Sequence, residues 1–167
     1  IRSLSIGQGE ILTTPLQLAN QAAAIANKGY YIAPHLNKND SMKSKKHICL
    51  VDSSHFDVVH RGMARVMTEG TGKWYNIPEW QICGKTGTVE NPHGEDHALF
   101  IGFAPMDNPK IAVAVAVENA GFGATWACPI ATLVMEQYLS GEIKRNWLYK
   151  RMLEANLIDK KNDDDKE

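Results

Sequence analysis

The stretch Gly84-Lys85-Thr86-Gly87-Thr88 concentrates the residue types that bind an anion along an extended backbone. Lys places a fixed positive charge beside an incoming carboxylate, and Thr hydroxyls bond the same group directly. Gly removes the side chain that would block a ligand lying along the strand. A backbone N–H just beyond it can stabilise an oxyanion. Gly-Lys-Thr also occurs in nucleotide-binding P-loops, which need a Gly five residues before the Lys-Thr glycine and a helix after it. Position 79 is Glu79, and Gly87 then Asn91-Pro92 follow, so the P-loop fails on both counts.

A second cluster, His93-Gly94-Glu95-Asp96-His97, could ligate a metal and approaches the H-x-x-E-H zinc pattern, with Asp in place of Glu. It follows Asn91-Pro92 and contains Gly94, so it reads as a polar loop between strands rather than the helix such a site needs. We expect no metal there and no cofactor. His97, Glu118, Asn119, Phe122 and Trp126 are candidate cleft-rim residues, with a capping or surface role as the alternative for His97 and ordinary packing or turn hydrogen bonding for the other four. Cys49, Cys83 and Cys128 are widely spaced and odd in number. They read as small buried hydrophobes, with one disulfide at most. Lys43, Lys45 and Lys46 form a basic cluster that reads as solvated surface.

The elements that must position this strand are legible from punctuation and periodicity. Thr14-Pro15-Leu16-Gln17 combines an N-cap Thr, Pro at the first helical position and Gln where a capping box needs it, predicting a helix over 14–28 ended by Gly29. Tyr30–Pro34 reads as a short extended exit, and 37–47 as a solvated loop or edge. Phe56, Val59, Met63 and Val66 recur at helical spacing, predicting a helix from about Ser54, with Asp57 three residues on, to Glu69. Strands are predicted over 80–88, 98–104 and 110–118, the last two antiparallel because Pro105–Pro109 is a short turn. The 110–118 strand is apolar on both faces and so reads as central, with a helix packed closely on its alanine side. A glycine loop, Gly121-Phe122-Gly123, leads to a helix over 129–139, and an amphipathic helix follows over about 142–158. The last residues, from Lys160, form a charged tail expected to be frayed. The fold class is therefore α/β (α+β): an antiparallel sheet whose two faces are covered by the 14–28 and 129–139 helices.

At 167 residues, 44% apolar and 22% charged, the chain can build a core. Its net charge of −1 provides no global basic field for nucleic acid or anionic lipid. Its longest purely apolar run, Ile111–Val117, is far short of the roughly 20 residues that a spanning helix needs.

Set in order along the chain, these pieces resemble one family. Gly7-Gln8-Gly9-Glu10, Thr13–Ala19, Ala26-Asn27-Lys28-Gly29, Pro34, Gly84–Thr88, His97–Pro105 and the Glu118–Pro129 stretch are similar to the later part of the transpeptidase domain of class B penicillin-binding proteins. The resemblance covers about residues 3–140 and is nearest to the penicillin-binding protein 2 branch, the elongation transpeptidases. It implies a DD-transpeptidase that cross-links peptidoglycan stem peptides by serine acyl transfer and is acylated by β-lactams. Lys85, Thr86 and Thr88 would then hold the carboxylate of the donor or antibiotic, the Thr88 N–H would be half of the oxyanion hole, and Gly87 would provide clearance. A membrane glycan polymerase would be its partner, outside the cytoplasmic membrane and anchored by a preceding segment.

The chain departs from the family in one respect. None of Ser3, Ser5, Ser41, Ser44, Ser53, Ser54 or Ser140 has Lys three residues later or Asn two residues later, so neither SxxK nor SxN is present. We therefore expect 1–140 to be the C-terminal portion of a transpeptidase domain, 141–158 a helical extension and 159–167 a disordered tail. Such a piece should expose apolar surface and associate. Two other classes remain open: a non-catalytic sheet module for binding or sensing, and a metal-dependent hydrolase centred on 93–97.

Overall fold

The structure, a computed structural model, describes residues 2–9, 11–36 and 45–158. Lys43 and the tail from residue 159 lie outside the described residues. The elements run α1 (Arg2–Ser5), α2 (Pro15–Ala26), β1 (Tyr30–Ile32), β2 (Lys46–Ile48), α3 (Ser54–Thr68), β3 (Cys83–Val89), β4 (His97–Ala104), β5 (Ile111–Val117), α4 (Ala127–Ser140) and α5 (Asn146–Glu154). β3, β4 and β5 form an antiparallel sheet in that order, and β1 pairs with β2 in a separate antiparallel hairpin.

The α2 start follows local chemistry closely. The Thr14 hydroxyl accepts from the Gln17 N–H while the Gln17 side chain accepts from the Thr14 N–H, closing a capping box. The helix ends at Ala26, two residues before the expected 28, and the left-handed capping position falls on Lys28, one before the expected Gly29. The Lys28 N–H donates to the Ile25 carbonyl and the Gly29 N–H to the Ala24 carbonyl, which is a Schellman end. Lys28 itself takes the left-handed position at φ 55, and Gly29 follows at φ 116. The ammonium of Lys28 is then 2.7 Å from Asp57, which pulls the Asp57 carboxyl below its usual range. Asp57 therefore serves as a partner for α2, and the α3 start is held by Asp52, which accepts from the Ser54 N–H and hydroxyl.

Two boundaries move for identifiable reasons. The strand expected from residue 80 begins at Cys83, because Pro78–Trp80 forms a 3-10 turn and Gln81 is left-handed at φ 42. The helix expected over 142–158 forms only across Asn146–Glu154. Its missing first turn is captured by Glu136, whose carboxylate accepts from the Lys144 and Arg145 N–H groups and from Arg145 Nε at 2.8 Å. Within 37–47, Lys46 and His47 pair with β1: His47 stacks on Tyr31, and the Lys46 ammonium lies over the Tyr30 ring.

The 110–118 strand is not central. β5 pairs only with β4 among the described residues, and β4 is the middle strand. Both faces of β5 are apolar because helices cover them. Ile111, Val113, Val115 and Val117 face the main core with Ala127, Ala131 and Met135 of α4. Ala112 lies on the opposite face with Phe103, Ala26 of α2 and Met63 of α3. Sheet covering by α2 and α4 is as expected, with α3 joining α2. Leu148, fully buried, anchors α5 on the α4 side.

Register between β3 and β4 is set by a glycine pair. Gly84 lies opposite Gly102, and the Phe100 ring, 1% exposed, occupies the volume where their side chains would be. A Cβ on Gly102 would lie 2.8 Å from that ring and 2.6 Å from the Cys83 carbonyl oxygen, and a Cβ on Gly84 would overlap the ring.

Two of the three cysteines are buried and all three are free. Burial raises the Cys83 and Cys128 thiols from 9.0 to about 12. The folded state thus holds protons that the unfolded chain releases near pH 9.0, so this stabilisation is present below that pH and is lost as pH climbs toward about 12.

Gly84→Ala should lower unfolding free energy by about 1–3 kcal/mol through overpacking against Phe100, measured by urea denaturation. Titration with a thiol reagent at neutral pH should modify Cys49 readily and reach Cys83 and Cys128 only after denaturation; rapid native modification of all three would contradict the burial.

Candidate functional site: the Lys85–Thr88 strand and its loop

β3 is an edge strand, paired with β4 on one side and with no other strand among the described residues. Its alternation puts Thr86 and Thr88 on one face and Lys85 and Gly87 on the other. The Gly87 face meets Leu99, whose Cβ would lie 3.2 Å from a Cβ added at Gly87. The Lys85 stem lies in an apolar groove with Val59, Met63, Val66 and Ile101, and its ammonium turns back to donate to the Thr86 carbonyl at 2.6 Å. Lys85 is exposed at its tip, whereas Thr86 and Thr88 are half-buried.

The two threonines are each held from outside the strand. The Thr86 hydroxyl is 2.8 Å from that of Thr71, which sits in the Gly70-Thr71-Gly72 turn after α3. The Thr88 hydroxyl accepts from the Gly123 N–H at 3.5 Å. Gly123 lies directly on the sheet backbone: a Cβ there would overlap the carbonyl oxygens of Gly87 and Leu99. Glycine is required at position 123 for this approach alone. Thr71 and Gly123 carry no periodic or motif signal for these contacts, since both arise from long-range packing.

The remaining candidates fall in different environments. His97 opens β4 opposite Val89, and its Nδ1 accepts from the Asn119 N–H at 3.0 Å. That contact fixes the neutral tautomer as the one protonated at Nε2. Glu118 is exposed just after β5, and Phe122 is 70% exposed in the glycine loop. Trp126 is half-buried and packs on the main core. The structure therefore brings Lys85, Thr86, Thr88 and the Phe122 loop to one strand, with Trp126 turned to the interior. Residues 93–96 form a loop that ends where His97 starts β4: Asn91 Oδ1 accepts from the His93 N–H, and Asp96 Oδ1 accepts from the Asn91 N–H. Its His, Glu and Asp side chains do not converge, and no metal-holding group of three such residues occurs among the described residues.

The site is thus a Lys-Thr-Gly-Thr strand at the edge of an antiparallel sheet that helices cover on both faces. The chain belongs to the penicillin binding protein transpeptidase domain family, whose model matches residues 1–136. It is 33% identical over 162 residues to the peptidoglycan D,D-transpeptidase MrdA of Acinetobacter baumannii, covering 82% of this chain and 24% of that protein. It is 38% identical over 157 residues to the peptidoglycan D,D-transpeptidase PbpA of Mycobacterium tuberculosis, covering 83% of this chain and 32% of that one. Among solved structures it is similar to Pseudomonas aeruginosa PBP2 in complex with WCK 5153, with TM-score 0.71, 38% identity, and coverage of 86% of this chain and 34% of that one. The imipenem acyl-enzyme of penicillin-binding protein A from M. tuberculosis matches with TM-score 0.72 and 35% identity, over 82% of this chain and 33% of that one. The chain thus spans 24% to 34% of the length of these relatives.

Gly123→Ala should push the 121–126 loop off β3 and destabilise the fold by about 1–3 kcal/mol, the range of overpacking. Thermal melting and faster amide exchange at residue 123 would show it; an unchanged melting curve and exchange rate would count against the close approach.

Proposed function

We propose that this chain supplies the donor-binding strand and half of the oxyanion hole of a peptidoglycan D,D-transpeptidase. One observation carries this: the Gly84–Thr88 motif lies on the free-edged strand β3, inside a segment that matches the transpeptidase family throughout. Lys85 supplies positive charge and Thr86 and Thr88 supply hydroxyl donors for the terminal carboxylate of a D-Ala-D-Ala stem peptide or of a β-lactam. The Thr88 N–H meets the oxygen that becomes negative in the tetrahedral intermediate, and Gly87 leaves room for the peptide along the strand.

The covalent steps need a serine with a nearby lysine, which these 167 residues do not contain in the family's form. A serine from outside them attacks the penultimate D-Ala carbonyl carbon. The C–N bond breaks, and terminal D-Ala departs with the proton that the serine gave up. The amine of a second strand then attacks the ester, and the serine recovers its proton as the new amide forms. A β-lactam follows the first half and stays attached, because its leaving nitrogen remains tethered.

This role places the site on the outer face of the cytoplasmic membrane, anchored by a segment outside the present sequence. A membrane glycan polymerase is the partner, supplying strands to be cross-linked. Residues 1–140 form the transpeptidase part and 141–158 an appended segment. Among the described residues, no helix is long and apolar enough to cross a membrane.

A fluorescent penicillin should leave the 167-residue chain unlabelled. The complete gene product should be labelled at one serine of an upstream SxxK. In that product Lys85→Ala should slow acylation by about 10²-fold or more, comparable to loss of an oxyanion donor. Covalent label on any of the seven serines here, or a gene product with no SxxK and no label, would overturn the proposal and favour a non-catalytic module.

A further inference from the structure

The contact between Gly123 and Thr88 is long, at 3.5 Å, so a loop displacement of a few tenths of an ångström would break it. What holds the loop is a polar knot that does not touch Thr88. His97 Nδ1 accepts from the Asn119 N–H at 3.0 Å, and Asn91 Nδ2 donates to Asn119 Oδ1 at 2.7 Å. The Asp96 carbonyl accepts from both the Ala120 and Gly121 N–H groups, at 2.9 and 2.7 Å. Asn119 is left-handed at φ 53, which turns the chain from β5 toward β3 at this point. The knot therefore ties the base of the 119–123 loop to the β3–β4 connection, just beyond Thr88.

The hydroxyl of Thr88 has one donor hydrogen and can accept from others. With the Gly123 N–H donated to its oxygen, its own hydrogen is left to point at a ligand, and accepting a bond polarises it as a donor. A loop that drifted away would let the hydroxyl rotate.

We propose that His97, Asn91 and Asn119 are positioning residues for acyl transfer: they hold the Gly123 N–H on Thr88 and so aim the Thr88 hydroxyl at the donor carboxylate. His97 acts through its Nδ1 lone pair and not as an acid, base or ligand. This rests on the reading of β3 as the donor-binding strand.

The test compares acylation of the complete gene product by a fluorescent penicillin in His97→Ala, His97→Asn, Asn91→Ala, Thr88→Val and the His97→Ala/Thr88→Val double variant, with amide exchange at Gly123 followed in parallel. His97→Ala should slow acylation by about 10–100-fold, the effect of misplacing a binding group by about an ångström. His97→Asn, whose Oδ1 can replace Nδ1 as acceptor, should recover most of that loss. In the Thr88→Val background His97→Ala should have no further effect. Gly123 exchange should speed up in His97→Ala and not in His97→Asn. Asn91→Ala should act in the same direction, and it decides the matter if His97→Ala does not fold. Acylation of His97→Ala at the wild-type rate, full additivity with Thr88→Val, or no rescue by Asn would overturn the clamp. A wild type that is never acylated would instead overturn the acyl-transfer reading, and Gly123 exchange would still report whether His97 holds the loop.

Discussion

The placement of Phe100 across the Gly84–Gly102 pair is the constraint on which the rest of the site depends. One aromatic ring takes the volume of two absent side chains, on the face that packs against α4. A register slip of one residue would send Phe100 to the opposite face and leave the glycines uncovered. Register in turn decides which face Thr86 and Thr88 share. Lys85, Thr86, Gly87 and Thr88 are thus presented by a strand whose alignment is set from beneath by an apolar contact.

Burial on both faces of a small sheet explains why the β3 edge can remain polar. α2 and α3 cover one side and α4 the other, so β4 is enclosed and its residues from His97 to Ala104 are all buried or half-buried. The α4 side is closed by an ion pair with little access to water: Glu136 is 3% exposed and Arg145 18%. Glu136 is acceptable there because its oxygens also accept from two backbone N–H groups, and a buried carboxylate needs such partners. Arg145 Nη1 and Arg151 reach Tyr75, tying the chain after α4 back to the turn before β3.

Several elements were legible in the sequence because their signals are local. The Thr14–Gln17 capping box is a four-residue pattern, and its hydrogen bonds form as the pattern demands. Antiparallel pairing of β4 with β5 follows from a turn too short for a crossover. The Lys-Thr-Gly-Thr motif fell on a strand for the same kind of reason. Misplaced features were those with competing explanations. Double-sided apolarity marks a strand covered on both faces, which β5 shares with central strands, so sequence could not separate covered edge from centre. Asp57 stands where a capping acid would, yet an opposing Lys28 claimed it. The amphipathic pattern over 142–158 was real, but Glu136 took the backbone of its first turn.

By itself the sequence determined the family, the strand that carries the Lys-Thr-Gly-Thr motif, and the helix whose cap needs only its own four residues. Each depends on order and spacing within a few positions, which a chain states directly. Tertiary structure alone decided that Thr71 meets Thr86, that Gly123 lies on Gly87, and that His97 serves as a hydrogen-bond acceptor for Asn119. These partners are separated by 15 to 36 residues and meet because the sheet and its helices close around one core. No local pattern encodes such meetings: they depend on where the backbone has been carried by packing elsewhere.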